Sequence, residues 1–264
     1  MIDNLLVEVE AGRLKKLLLF NAVMGFFHLV QALVLLALTS DYSLPVTTSF
    51  LNHIPGIGKL EPATETAFDL PLGPMVAVFL MISAVAHFTV SLPWGFRRYA
   101  VNLRKGINYT RWFEYALSAS VMIVIIAMLS GMYDIASLIM VFALTGVMNL
   151  MGLMMEVHNQ TTEKANWTAY FIGCFAGVVP WIAIGIYFFG SIASSEGEVP
   201  TFVYFIFPTL FVFFFCFAVN MALQYKRVGP WRDYLFGEMV YVLLSLVAKS
   251  ALAWQVFAGT LRPE

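Results

Sequence analysis

Charged residues are scarce in this chain of 264 residues, since Asp, Glu, Lys and Arg together make up only 12% of it. A soluble domain carries about 25% charged residues, so this sequence has too little polar surface to coat itself in water. Hydrophobic residues reach 60%. At about 20 residues per bilayer crossing, the length provides for seven or eight membrane helices and little else. The composition therefore predicts an integral membrane protein.

Other shortages exclude further classes of protein. The 15 Lys and Arg residues are matched by 16 acidic residues, so the net charge does not point to nucleic acid as a partner. The two cysteines, Cys174 and Cys216, both lie in apolar runs, which excludes a disulfide scaffold and a cysteine-based zinc site. The sequence shows no nucleophile elbow, phosphate-binding glycine motif or cluster of metal ligands. We therefore expect neither an enzyme nor a metal site.

Seven apolar stretches are long enough to span a bilayer. They are residues 17–39, 74–96, 108–130, 135–157, 167–190, 201–224 and 234–259. We expect an all-α, seven-helix transmembrane bundle that forms a single domain over residues 1–264. The longest connection, residues 41–72, contains two segments of β-type composition between prolines. This composition favours a short β-hairpin, with a disordered loop as the alternative.

Basic residues are distributed unequally between the two sides of such a bundle. The side that holds the N-terminus carries Arg13, Lys15, Lys16, Arg97, Arg98, Arg104, Lys105, Lys164, Lys226, Arg227 and Arg232, and the opposite side carries Lys59 and Arg262. Short loops rich in Lys and Arg stay in the cytoplasm. We therefore predict a multi-pass protein of the cell membrane with its N-terminus in the cytoplasm and its C-terminus outside.

A lysine lies near the middle of the seventh apolar stretch. Lys249 is too deep for its side chain to reach either interface. A charged lysine at the bilayer centre costs roughly 3 kcal/mol on insertion scales, so its presence indicates a functional role. A buried amine loses its proton readily and becomes a nucleophile, which is what Schiff-base formation with an aldehyde requires. A purely structural ion pair within the bundle is the alternative.

One carboxylate is well placed to be the partner of this lysine. Glu114 is the only acid well inside the third stretch. The third and seventh helices run in the same direction, so Glu114 and Lys249 can meet at a similar depth. The alternative is that Glu114 lies at the interface and pairs with Arg111.

Two segments of the sequence resemble a known family. SLVAKSALAWQVFAG is similar to the retinal-binding seventh helix of the heliorhodopsins, and RWFEYALS is similar to their counterion-bearing third helix. The resemblance extends over essentially the whole chain, including the inside N-terminus and the long external first loop. It implies that retinal, all-trans in the dark, is bound to Lys249 as a protonated Schiff base with Glu114 as the counterion. It also implies that Ser245, one turn before Lys249, is a second hydrogen-bond partner of the Schiff base.

The same resemblance implies a polar pocket near the chromophore, formed by His28, Gln31 and His87. Ordinary hydrogen bonding between helices is an alternative role for these three residues. Transient acceptance of a proton after illumination is a further possibility for the two histidines. The polyene needs an aromatic-lined slot. The candidates for this slot are Ser118, Met122, Met148, Phe211, Phe214 and Trp254. For the aromatic residues and methionines among them, plain packing within the membrane is the alternative.

The sequence departs from the pattern of ion-pumping rhodopsins at two positions. Those proteins usually have a second carboxylate one turn before the lysine, where this chain has Ser245. Proton pumps also have an acid about three turns after the counterion, where this chain has Ile125. We therefore expect a light sensor that does not pump ions. Its basic loops, residues 97–105 and 226–232, would face an unknown cytoplasmic signalling partner.

Two other functions remain open from the sequence. One is a light-gated or light-driven ion conductor with the same chromophore. The other is a non-retinal membrane transporter in which Lys249 is a substrate ligand. The resemblance also implies a homodimer in the lipid bilayer. Candidate positions for close approach of helices are Gly146, Gly152, Gly173 and Gly177, which internal packing would explain as well.

Overall fold

The computed structural model describes residues 2–54, 59–195 and 201–261, with side chains described at 12–53, 59–195 and 204–261. Arg262, one of the two basic residues assigned to the outer side, lies outside these ranges. The helices are α1 (Ile2–Leu38), α2 (Leu72–Ser91), α3 (Pro93–Arg104), α4 (Tyr109–Leu129), α5 (Ile135–His158), α6 (Thr168–Ala193), α7 (Thr201–Tyr225) and α8 (Tyr234–Val256). All of them except α3 contain a segment long and apolar enough to cross a membrane. The predicted seven-helix bundle is confirmed.

The end of the second apolar stretch differs from the prediction. The sequence predicts a helix that continues to residue 96, whereas α2 ends at Ser91. Leu92 is extended, with φ −71° and ψ 148°, because the residue before a proline is driven out of the helical region. Pro93 then begins the short helix α3, which buries Tyr99 and Leu103. The basic residues that follow Pro93 therefore belong to a separate amphipathic helix.

The long first connection forms a β-hairpin, as predicted. Strands β1 (Ser43–Ile54) and β2 (Lys59–Pro71) are antiparallel, with Ser43 opposite Pro71. The hairpin is much longer than the short one expected, because pairing continues over almost the whole connection. Its base is anchored to the bundle by buried Leu44 and Val46, and the Thr47 amide donates to the Tyr133 carbonyl at 2.9 Å.

Helix α4 lies at the centre of the bundle. In its most apolar segment 67% of the residues are buried, against 17% in α7. The half of α4 that ends at Leu129 packs with α2 and α8 in one apolar core that includes Phe79, Ile125 and Leu252. The central position of α4 explains why polar residues on this helix, rather than on α7, build the sites described below.

Candidate functional site

The predicted partners Lys249 and Glu114 lie together in the bundle. Lys249 Nζ is 3.1 Å from Glu114 Oε1, and the side chains are only 4% and 7% exposed. Lys249 Nζ also donates to Ser245 Oγ at 2.7 Å. The parallel direction of α4 and α8 brings the two charges to the same depth. Burial away from water strengthens their attraction.

A serine that sequence analysis did not single out completes this site. Ser83 Oγ on α2 donates a 2.6 Å hydrogen bond to Glu114 Oε1. Glu114 therefore has a neutral donor as well as the ammonium group. Tyr115, the next residue on α4, has its ring centroid 5.0 Å from Lys249 Nζ. Nothing in the sequence distinguishes Ser83 from the small residues that pack between membrane helices.

Two of the three residues of the predicted polar pocket contact each other. The rings of His28 and His87 are stacked with their centroids 5.6 Å apart. His87 Nδ1 forms a 2.8 Å hydrogen bond with Asn21 Oδ1. His28 is fully buried, and neither of its ring nitrogens has a hydrogen-bond partner among the described residues. Gln31, the third residue, bonds to a different side chain, since its Oε1 accepts from Trp254 Nε1 at 3.0 Å.

An apolar cavity of about 40 Å³ lies beside Lys249. Of the candidates for an aromatic slot, Met122, Met148 and Phe214 line it together with Ser245. The lining residues that the sequence did not indicate are Tyr115, Ala119, Asn149, Phe217 and Ala248. A second cavity of about 80 Å³ shares Met148, Asn149, Phe214 and Phe217 with the first. The two cavities are therefore neighbours, and aromatic side chains line both of them.

The remaining slot candidates lie outside this cavity in the described structure. Phe211 is 38% exposed and packs its ring against buried Trp181. Trp254 is 39% exposed and bonds to Gln31. Ser118 is fully buried, but it does not line the cavity. Trp181 itself, which sequence analysis missed, contacts Phe214 edge-on.

The glycines proposed as close-approach positions contact side chains of this same chain. A Cβ at Gly177 would overlap Met148 Sδ, and a Cβ at Gly152 would overlap the Trp112 ring. A Cβ at Gly173 would lie 3.0 Å from Met151 Cβ. These glycines therefore permit close packing of α6 on α5 and of α5 on α4.

A second buried charge cluster lies between the Lys249 site and the end of the bundle where α1 begins. Arg111 on α4 forms ion pairs with Glu156 on α5 and with Glu238 on α8. All three side chains are at most 5% exposed. Arg111 therefore does not pair with Glu114, which excludes the alternative pairing considered from the sequence.

Hydrogen bonds satisfy the two carboxylates of this cluster. Glu156 Oε2 accepts from the Asn108 amide at 2.9 Å and from Trp112 Nε1 at 2.7 Å. Glu238 Oε2 accepts from Asn108 Nδ2 at 2.7 Å. The guanidinium carbon of Arg111 lies 3.9 Å from the centroid of the Tyr241 ring. The cluster thus joins α4, α5 and α8 less than one helical turn from Glu114.

A bundle of seven membrane helices with a buried lysine–carboxylate pair beside an aromatic-lined cavity defines a membrane protein of the rhodopsin type. The family model described as Heliorhodopsin matches residues 17–261, and the chain belongs to the heliorhodopsin family. Membership implies a retinal chromophore and a multi-pass membrane protein. No curated protein matches the chain.

The residues of the site fit such a chromophore in chemistry. A buried amine suits an aldehyde, and methionine and phenylalanine side chains suit an apolar polyene. Cavities of about 40 and 80 Å³ are small beside the roughly 300 Å³ or more of a typical ligand pocket. Accommodation of retinal therefore requires the side chains around these cavities to move, and those that line both are Met148, Asn149, Phe214 and Phe217.

Proposed function

We propose that this protein is a light sensor in which retinal is attached to Lys249, with Glu114 as the counterion, and that it signals rather than pumps ions. The observation that carries this proposal is the buried pair of Lys249 and Glu114 at the end of an apolar cavity. Bound retinal supplies light absorption and a change of shape on isomerisation. We infer that this change is transmitted to the side of the membrane on which α1 begins, which the positive-inside rule assigns to the cytoplasm.

The side chains around the amine have distinct tasks in this proposal. Glu114 provides the negative charge that stabilises a cation at Nζ. Ser83 fixes one carboxylate oxygen of Glu114 by its 2.6 Å hydrogen bond. Ser245 accepts from Nζ at 2.7 Å without adding charge. The site therefore holds one positive and one negative group, and separation of this pair is the electrostatic event that can bias the helices.

The half of the bundle beyond Lys249, on the side opposite the start of α1, has a composition that supports a sensor over a proton pump. Vectorial proton transfer needs a chain of ionisable groups through the membrane core. Beyond Lys249, toward the ends of the helices opposite the start of α1, the described spans contain no Asp, Glu, Lys or Arg. The position three turns after Glu114 is Ile125, which is fully buried in the apolar core.

Absence of transport is the outcome expected in illuminated cells. Cells that express the protein and are supplied with retinal should leave the pH of a weakly buffered medium unchanged on illumination. The same membranes should show a cyclic absorption change after a flash. Cells that express Lys249→Ala provide the baseline for both measurements. A protonophore-sensitive pH change or a light-dependent current above that baseline would assign the protein to the ion conductors instead.

Gly177→Ala tests the role of Met148 as a wall of the chromophore cavity. The new methyl group would overlap Met148 Sδ and force that side chain toward the space it lines. Such overpacking costs on the order of 1–3 kcal/mol. We expect a shifted absorption maximum and less bound retinal per protein, measured by visible absorption. Gly190→Ala on the same helix is the control, because a Cβ there meets no atom within 4 Å. Equal spectra for the two variants would contradict this role.

A further inference from the structure

A large cavity opens at the end of the bundle where α1 begins. It has a volume of about 620 Å³ and lies among the connections that follow α3, α5 and α7. This volume is within the range of roughly 300–1,000 Å³ that is typical of small-molecule sites. It shares no lining residue with the two cavities described above, so it is a separate feature of the molecule.

Basic residues outnumber acidic residues in the lining of this cavity. Four basic residues line it, Arg104, Lys105, Arg227 and Arg232, with Glu163 as the one acidic residue among the described lining. Within the described part of the chain, Lys105, Arg227 and Arg232 form no ion pair with a carboxylate. Like charges gathered along one concave wall repel each other and attract a multivalent anion.

A hydrogen bond from side chain to backbone links the two arginines of the last connection. Arg227 has a φ of 51°, a left-handed conformation that residues with a side chain seldom adopt. Arg232 Nε donates to the Arg227 carbonyl at 3.3 Å. The turn therefore brings two guanidinium groups to one cavity. Guanidinium groups bind phosphate oxygens through pairs of parallel hydrogen bonds.

The floor of the cavity is built from fixed polar and aromatic side chains. Tyr234 Oη donates to Glu156 Oε1 at 3.2 Å, and Tyr225 Oη donates to the Met155 carbonyl at 3.0 Å. Gln224 is 8% exposed, and its Oε1 has no hydrogen-bond partner among the described residues. A molecule bound here would lie one side chain, Tyr234, from the cluster of Arg111 and Glu156.

We propose that this cavity is a binding site for a soluble molecule that carries two or more phosphate groups. Lys105, Arg227 and Arg232 together with Glu163 leave two net positive charges, which complement the negative charge of a diphosphate or triphosphate. The same chemistry would accept a phosphate of a lipid headgroup. The position of the cavity among three connections at the end of the bundle, rather than on its lipid-facing side, favours the soluble molecule.

Titration of the full-length protein with pyrophosphate tests this proposal. The protein is placed in phosphatidylcholine nanodiscs and kept in the dark, and binding is measured by calorimetry, so the result does not depend on the proposed light sensing. The double variant Arg227→Gln/Arg232→Gln should weaken binding by at least about tenfold, because two charge-assisted contacts are lost. Arg97→Gln/Arg98→Gln is the matched control. Both of these arginines are exposed on α3 and lie outside the cavity, and their substitution removes the same amount of charge.

The outcomes separate the proposal from its alternatives. Binding by the parent protein and the control, with a loss confined to the Arg227/Arg232 variant, supports the site. Lys105→Gln should also weaken binding, which keeps the test valid if the double variant does not fold. Absence of binding at millimolar pyrophosphate, or equal losses in the two double variants, overturns it. Tighter binding of glycerophosphoglycerol, the soluble headgroup of phosphatidylglycerol, than of pyrophosphate overturns the soluble ligand in favour of a lipid.

Discussion

Lys249→Ala is expected to abolish the visible absorption of the protein supplied with all-trans retinal. Lys249 is the only lysine among the described residues that line the apolar cavity of about 40 Å³. Without its amine no covalent attachment can form there, so the loss should be complete rather than partial. The measurement is an absorption spectrum of the purified protein after incubation with retinal. Lys226→Ala is the control, because that lysine is exposed at the end of α7 with its Nζ 5.9 Å from the centroid of the Trp167 ring.

The folded state of the variant must be checked separately. Removal of the amine leaves Glu114 buried beside Ser83 without a positive partner, which can destabilise the bundle. Monodisperse elution and unchanged helical circular dichroism would show that loss of colour reflects loss of attachment. A coloured Lys249→Ala protein with the maximum of the parent would refute the assignment.

Glu114→Gln then separates the counterion from the attachment site. The amide keeps the shape of the side chain and removes the negative charge that lies 3.1 Å from Nζ. The cation at Nζ loses its stabilising partner, so we expect a coloured protein whose absorption maximum moves to longer wavelength. Glu65→Gln, on the exposed face of β2, should leave the spectrum unchanged. Identical spectra for both variants would assign the counterion elsewhere.

Hydropathy and charge predicted most of the fold because a bilayer constrains chains strongly. Each span must be apolar over its whole length and satisfy its own backbone hydrogen bonds. The prediction failed where this constraint ends. Residues 92–96 are apolar enough to extend a span, yet Pro93 begins a new helix with a different direction. The hairpin was predicted as a short element, because the extent of strand pairing depends on partners that the composition of one strand does not reveal.

The sequence predicted depth within the membrane better than it predicted which side chains face each other. Glu114 and Lys249 were matched because parallel helices and similar depth sufficed. Ser83 was missed because its contact depends on the rotation of α2 about its axis. Rotation also explains Trp254, which lies on the same helix as Lys249 but is partly exposed and bonds to Gln31. A helix position fixes the height of a residue, whereas packing of neighbouring helices fixes its direction.

The buried Arg111 cluster shows the same limit. From the sequence, Arg111 was considered only as a partner for Glu114, its neighbour one turn along α4. In the structure its partners are Glu156 and Glu238, which lie 45 and 127 residues away along the chain. Those carboxylates lie in the first or last turns of their spans, where charged residues are common and do not indicate a buried site. Only the packing of the helices shows that the Glu156 and Glu238 side chains are buried.

Arg111→Gln is expected to produce the largest loss of stability of any single change considered for this protein. Removal of one partner from a buried ion pair costs about 3–5 kcal/mol, because the remaining charge is left without compensation. Here two buried carboxylates would lose their common cation. The melting temperature, followed by loss of helical circular dichroism in detergent, should fall by many degrees.

Arg13→Gln provides the matched control for this change. Arg13 also pairs with an aspartate across helices, but the side chains of Arg13 and Asp233 are 44% and 42% exposed. Exposed pairs contribute only about 0–1 kcal/mol, so this variant should melt close to the parent. Equal melting temperatures for Arg111→Gln and Arg13→Gln would show that the cluster does not hold the bundle together.

A double variant identifies the cause of the expected loss. If the cost of Arg111→Gln comes from unpaired carboxylates, the further change Glu238→Gln removes one of them and should restore part of the stability. If the cost came instead from lost contact between the guanidinium and the Tyr241 ring, the second change would add to the damage. The sign of this coupling therefore separates charge from packing at the point where α4, α5 and α8 meet.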